Sequence, residues 1–375
     1  MYKGKIINFD LLYTTQDRDL LELSAEHIKS EIDNSQCDAV IGLMLIDGFL
    51  YKDNSKYYEF LKSIQEYAYS KKVKKLLLVL GMCANYQEKL RNLGLEYEII
   101  SWDLYLNIVY QGYKNQTTGE WNHNAEKFLF LGGVPSRHNR IVLLSKFYTR
   151  GLLQKAEWSF FPPWTNEDKQ WCREALATML NYEQFLKDCE RSIDTAYEES
   201  KDYSRLDARA LLEKSVHKTA WCENPGWIDS KIFNDTMFSV ISEANIYPPA
   251  TDHNFLSEKT WRAVINKHPF IFAGSYLQFD YLKSVDLKSF EEYVDVYQPD
   301  DLDSVVNATV SFFKNKNEYK NKIQGDIEHN YNVYLKKVQD NQNTLEFLMS
   351  QYGIEQQEID KWFNQKSFVH LTRIE

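Results

Sequence analysis

Short apolar runs alternate with amphipathic stretches through the first third of the chain. The runs Lys5 to Phe9, Ala39 to Ile46, Lys75 to Leu80 and Tyr97 to Ser101 predict strands. Between them Leu21, Ala25, Ile28 and Ile32 recur at helical spacing, as do Tyr57, Leu61, Ile64 and Ala68, and this predicts the connecting helices. Strand and helix in alternation argue for a parallel sheet, so the first domain reads as Rossmann-like.

Residues Asn107 to Asn124 lose that periodicity and gather Gly, Asn, Gln and Thr, which reads as a loop and places a domain boundary there. A second series opens with a strand at Lys127 to Leu131, followed by a helix with Ile141, Leu144 and Tyr148 on one face. From Trp158 to Val216 the pattern is helical and charged, with a turn at Phe160 to Trp164. A strand at Met237 to Ile241, a loop through Pro248 and Pro249, a helix at Thr260 to Asn266, a strand at Phe270 to Ala273 and a helix from Tyr276 restore the alternation. Leu302, Val305, Thr309 and Phe312 open a helical tail. The expected architecture is α/β with two Rossmann-like domains, residues 1–124 and 125–315, and a tail at 316–375 that packs back over them.

A length of 375 residues supports two cores. The 43% hydrophobic and 26% charged fractions are those of a globular protein, and the high aromatic content, 15%, serves cores first and sugar or base stacking second. The formal charge of −10 disfavours nucleic acid as a partner, since neutralising many phosphates calls for a basic surface. Lys71, Lys72, Lys74 and Lys75 are a local exception that reads as a solvated edge. Cys37, Cys83, Cys172, Cys189 and Cys222 are odd in number and widely spaced, which suggests neither a disulfide framework nor a zinc site and fits a reducing, cytoplasmic setting. The chain starts directly into a strand, and no apolar run is long enough to span a bilayer, so neither a signal peptide nor a membrane partner is expected.

Ser242 to Gly274 is the stretch richest in chemistry. A strand delivers Glu243 at its carboxyl end, a Pro-rich loop follows, and Ser257, Glu258 and Lys259 fall where a helix begins. Carboxyl ends of parallel strands and helix N-termini both suit a phosphate-bearing ligand. Lys259 adds a mobile charge, and Glu243 or Glu258 is suited to ribose hydroxyls. The competing reading is purely structural, with Ser257 as an N-cap and acids in the first turn.

The string FLSEKTWRAVINKHPFIFAGS, with YLQFDYLKSVDLKSFEEYVD after it, resembles the donor-binding signature of the alpha-1,3-fucosyltransferase family and of related glycosyltransferase-like proteins of bacteriophages and large DNA viruses. The resemblance implies a GT-B-like pair of domains facing a cleft, with Glu243 as the strand-end acid, Lys259 on a donor diphosphate and Glu258 near the ribose or sugar. A second likeness lies in GGVPSRHNRIVLLSKFYTRGLLQKAEWSF, which implies that Arg137, His138 and Arg140 face the same site. A guanidinium fork suits a diphosphate, and a cation beside a helix start is otherwise unfavourable.

The implied reaction is transfer of a sugar from a nucleotide-sugar to an unidentified acceptor hydroxyl, a modified DNA base among the possible acceptors. The general base is expected from the first domain; Asp47, just past the strand at Ala39 to Ile46, is the candidate, with Asp10 and Asp103 as rivals. No cofactor or metal is expected: Asp301 and Asp303 form an Asp-x-Asp, but at a helix start, where acids serve the dipole, and the eight His show no zinc spacing. The Trp221 to Trp227 stretch reads as core before acceptor platform. The rival class is a binding or host-interaction protein that keeps the fold without turnover.

Overall fold

The structure, a computed structural model, describes residues 1–9, 18–44, 55–81, 87–133, 138–160, 230–243 and 255–363. The chain divides into two compact units, Met1–Ile108 with Thr251–Phe255 and Lys336–Glu375, and Val109–Ala250 with Leu256–Leu335. Each is built on a four-stranded, all-parallel sheet.

In the first unit β1 (Gly4–Asn8), β2 (Ala39–Met44), β3 (Lys75–Leu80) and β4 (Glu98–Ser101) lie side by side in chain order. The helices between them are α1 (Arg18–Ser35), α2 (Ser55–Ser70) and α3 (Gln87–Asn92). Because each crossover steps the same way and such crossovers are right-handed, the connecting helices share one face. Contact between α1 and α2 agrees with this, and the predicted stripes are buried there, Ala25, Ile28 and Ile32 on α1 and Leu61, Ile64 and Ala68 on α2.

A parallel sheet needs cover on its other face too. That face presents Ile6, Ile41, Leu43, Leu77 and Val79, and the chain's last described segment packs against it. The long helix α10 (Lys320–Tyr352) and the short α11 (Gln356–Phe363) bring Leu348, Tyr352, Ile354, Ile359 and Phe363 into this cluster. Phe363 meets the ring of Trp102 edge-on at 4.7 Å. The approach is tight: a Cβ on Gly4 would lie 2.8 Å from the carbonyl oxygen of Tyr352. Gly353, at φ 60°, takes the left-handed conformation that ends α10.

Two segments differ from the sequence expectation. Leu104–Tyr113, read from Asn107 onward as loop, is a helix, α4. Asp103 caps it, accepting the Leu106 N–H at 2.8 Å, and Leu104, Leu106, Val109 and Tyr113 are all buried. A helix covered on several sides shows no amphipathic stripe, so its period is hidden. Ala156–Phe160, read from Trp158 as helical, is a strand, β6. Most of the helical and charged stretch, the Phe160 to Trp164 turn beyond its first residue and Trp221 to Trp227 lie outside the described residues.

The second sheet runs β6, β5 (Phe128–Gly133), β7 (Ser239–Ser242), β8 (Phe270–Ala273). Helix α5 (His138–Thr149) follows β5, α6 (Ser230–Asn234) precedes β7, α7 (Glu258–Ile265) follows β7, and α8 (Tyr276–Ser284) follows β8. Helix α9 (Leu302–Asn315) starts at Asp301, whose carboxylate accepts the Asp303 N–H at 2.9 Å, the capping role expected of that pair. An aromatic core joins β5, α5 and α9: Phe128 packs on Phe147 at 5.0 Å and on Phe238 at 5.7 Å, and Phe238 on Phe312 at 4.6 Å. On α5 the buried face is Leu143, Leu144 and Phe147, while Tyr148 is exposed. The expected face was therefore rotated, because Phe147 rather than Tyr148 completes the core.

The strand order places the site. From β5 the chain steps to β6 on one side, and from β7 it steps to β8 on the other. The carboxyl ends of β5 and β7 therefore flank a point where the winding reverses, the kind of place at which open α/β sheets bind ligands.

Candidate functional site

Glu243 follows directly on β7 and is fully buried. Its Oε1 accepts the backbone N–H of Ser257 at 3.1 Å and the hydroxyl of Thr260 at 2.7 Å. Its Oε2 has no hydrogen-bond partner among the described residues. A buried carboxylate oxygen without a donor is costly, and such groups call for a role.

Asn139, in the first turn of α5, joins the two crossovers. Its side-chain amide donates to Ser242 Oγ at 2.9 Å and to the carbonyl of Glu243 at 2.8 Å. Ser257 caps α7, its hydroxyl accepting the Lys259 N–H at 3.3 Å. The first turns of α5 and α7 are thus tied to the end of β7 by side-chain hydrogen bonds.

Glu258 and Lys259 open α7. The ammonium and the carboxylate are 2.7 Å apart, and their side chains are only 14% and 17% exposed respectively. Burial alone would raise the Glu258 carboxyl, but the positive charges of Lys259, Arg262 and Arg140 outweigh it and hold the carboxyl down at about 2. Burial also dominates at Lys259, where it lowers the amine below its ordinary value; Arg140 adds to that effect, and Glu258 and Glu243 oppose it. Arg140, itself 7% exposed, is therefore within electrostatic reach of both members of the pair. Three cations and two carboxylates gather at one end of one sheet.

Beside them is a cavity of about 20 Å³ lined by Leu129, Leu131, Phe233, Val240, Lys259 and Arg262, among others. It has room for roughly one water molecule. His268 stands behind β7: its Nδ1 lies 2.8 Å from Ser239 Oγ and its Nε2 2.9 Å from the Thr236 carbonyl. Burial lowers this imidazole to about 4.

Of the residues singled out by sequence, Arg140, Glu243, Ser257, Glu258 and Lys259 come together here. Ser257 acts as the N-cap that the structural reading anticipated. His138 is the first residue of α5, so its backbone stands at the same edge. Arg137 and Asp47, like the rival base Asp10, lie outside the described residues, and Asp103 caps α4. The lysine run pairs with acids: Lys71 with Asp33, Lys74 with Asp38 and Lys75 with Glu98. Asn139, Thr260 and Arg262 were missed. Arg262 had a signal, since it is one turn beyond Lys259 on the same helix face; Asn139 had none without the strand order.

Among the described residues no group of three or more His, Cys, Asp or Glu is placed to hold a metal ion, and no helix is long and apolar enough to cross a membrane. Compared with protein families, characterised proteins and solved structures, the chain matches none.

Proposed function

We propose that the chain is a nucleotide-sugar-dependent glycosyltransferase whose donor diphosphate binds at the reversal point of the second sheet. The observation that supports this reading is the gathering of Arg140, Lys259 and Arg262 at the carboxyl end of β7, beside a buried carboxylate with an unused oxygen. An α/β sheet binds ligands at such a point, and a phosphate is the ligand that clustered cations and helix N-termini recognise.

In this reading the guanidinium of Arg140 and the amine of Lys259 neutralise the diphosphate oxygens, and Arg262 adds to the field. As the bond from the sugar's anomeric carbon to the diphosphate oxygen breaks, charge develops on that oxygen. Fixed cations in a largely buried site stabilise it without reorganising. They supply the charge that a divalent ion supplies in other transferases, so the transfer is read as metal-independent. Glu243, held by Ser257 and Thr260, keeps a buried Oε2 without a donor among the described residues, which a ribose hydroxyl reaches once the site opens to admit the donor. The acceptor hydroxyl loses its proton to a base as the new glycosidic bond forms; Asp47 is proposed for that role.

The test is release of free nucleoside diphosphate from a panel of UDP-, GDP-, ADP- and CMP-sugars, the last giving the monophosphate. The reading expects slow release from at least one diphosphate donor even without acceptor, and its loss in Lys259→Ala. Donors that bind without ever being turned over would favour the binding-protein alternative.

A further inference from the structure

We infer that Glu258 is an internal anion holding the place of the ligand's phosphate, and that it must release Lys259 before the ligand binds. The inference rests on the diphosphate reading of this site and specifies how the site opens.

Three observations carry it. The Glu258 carboxylate is 2.7 Å from the Lys259 ammonium, with both side chains mostly withdrawn from water, so the pair is not one that solvent screens away. Arg140 and Arg262 act on the same carboxylate; Glu258 therefore offsets charge on cations that an arriving phosphate would seek. Lastly, a small cavity of about 20 Å³ borders both Lys259 and Arg262, so two of these cations face space that a water can enter.

Of the two carboxylates present, only Glu258 is placed to move. Glu243 is fixed by the Ser257 N–H and the Thr260 hydroxyl and is sealed from solvent. Glu258 is the first residue of α7, is partly exposed, and is bonded to the side chain of its own neighbour. Binding is then an exchange of counter-ions: the phosphate takes the cations as Glu258 leaves, and the cations are never left buried without a partner. A ligand must bring more charge than the single carboxylate it displaces, which selects for a diphosphate over a singly charged anion.

The experiment titrates inorganic pyrophosphate, and separately UDP, GDP and ADP, into the wild-type protein and the variants Glu258→Gln and Glu258→Asp, with far-UV circular dichroism to confirm folding. Glu258→Gln should bind pyrophosphate about tenfold more tightly, because the competing charge is gone, while its melting temperature without ligand falls. Glu258→Asp keeps the charge on a shorter stem and should give a smaller gain; it carries the test if the glutamine variant does not fold. Pyrophosphate affinity that is unchanged or weaker in the folded variants overturns the inference alone. No binding of any probe to any form overturns the diphosphate reading, and this inference with it.

Discussion

Asn139 donates to the carbonyl of Glu243 at 2.8 Å, and through that bond the helix after β5 is fastened to the strand end that carries the buried carboxylate. The same amide holds Ser242 Oγ. Asn139→Ala removes two bonds at once and leaves a buried carbonyl and hydroxyl without their donor. It should cost about 1–3 kcal/mol of stability, read as a lower urea midpoint. Asn139→Asp should be worse, since it sets a carboxylate against the Glu243 carbonyl, which can only accept, with the Ser242 hydroxyl as the one group of the two able to donate to it. A midpoint unchanged in both would show that the bond ties nothing together.

Glu243 separates two roles that a carboxylate can play. Glutamine keeps an Oε1 acceptor for Ser257 and Thr260 and replaces the unpartnered Oε2 by a donor. Glu243→Gln should therefore fold, with a melting temperature close to that of the wild type, and bind inorganic pyrophosphate normally. Its affinity for whichever nucleoside diphosphate binds best should fall roughly tenfold, the size expected from losing one hydrogen bond to a charged group. Equal loss for pyrophosphate and nucleotide would place Glu243 in the diphosphate contact instead.

His268 makes stability depend on pH. The folded protein holds its imidazole neutral at about 4, against an ordinary value of 6.5, so between those values the unfolded chain binds the extra proton and the folded one does not. Stability is then fully present above about 6.5 and drains away as pH falls toward 4, by about 3 kcal/mol at the limit. Glu258 acts lower down: its carboxyl is held at about 2 rather than 4.5, so its contribution is present above 4.5 and is lost as pH falls toward 2. Unfolding curves at a series of pH values should show the first loss in the wild type and a flatter profile between 6.5 and 4 in His268→Gln.

The sequence made the periodic parts of the fold legible. Ala25, Ile28 and Ile32, and likewise Leu61, Ile64 and Ala68, lie buried as their spacing required, and Phe270–Ala273 is a strand with the expected bounds. Where burial is all-round the period disappears: Val109 and Tyr113 belong to a helix that looked like loop. Trp158 belongs to a strand too short to announce itself within charged surroundings. The local part of the site was equally legible, because Glu258 and Lys259 are adjacent and Glu243 ends a strand. Its long-range part was not. That Asn139 and Arg140 stand beside Glu243, a hundred residues away in the chain, follows from β5 pairing with β7 rather than with β6 alone, and no local pattern encodes that choice.

Arg140 and Lys259 are proposed to bind a single diphosphate. Isothermal titration calorimetry of UDP, GDP, ADP and CDP into the wild type, Arg140→Ala and Lys259→Ala tests it most directly. At least one nucleotide should bind the wild type with micromolar affinity, and each substitution should weaken it about tenfold or more while the protein stays folded. Failure of all four to bind, or binding that either folded variant retains at full strength, would contradict it.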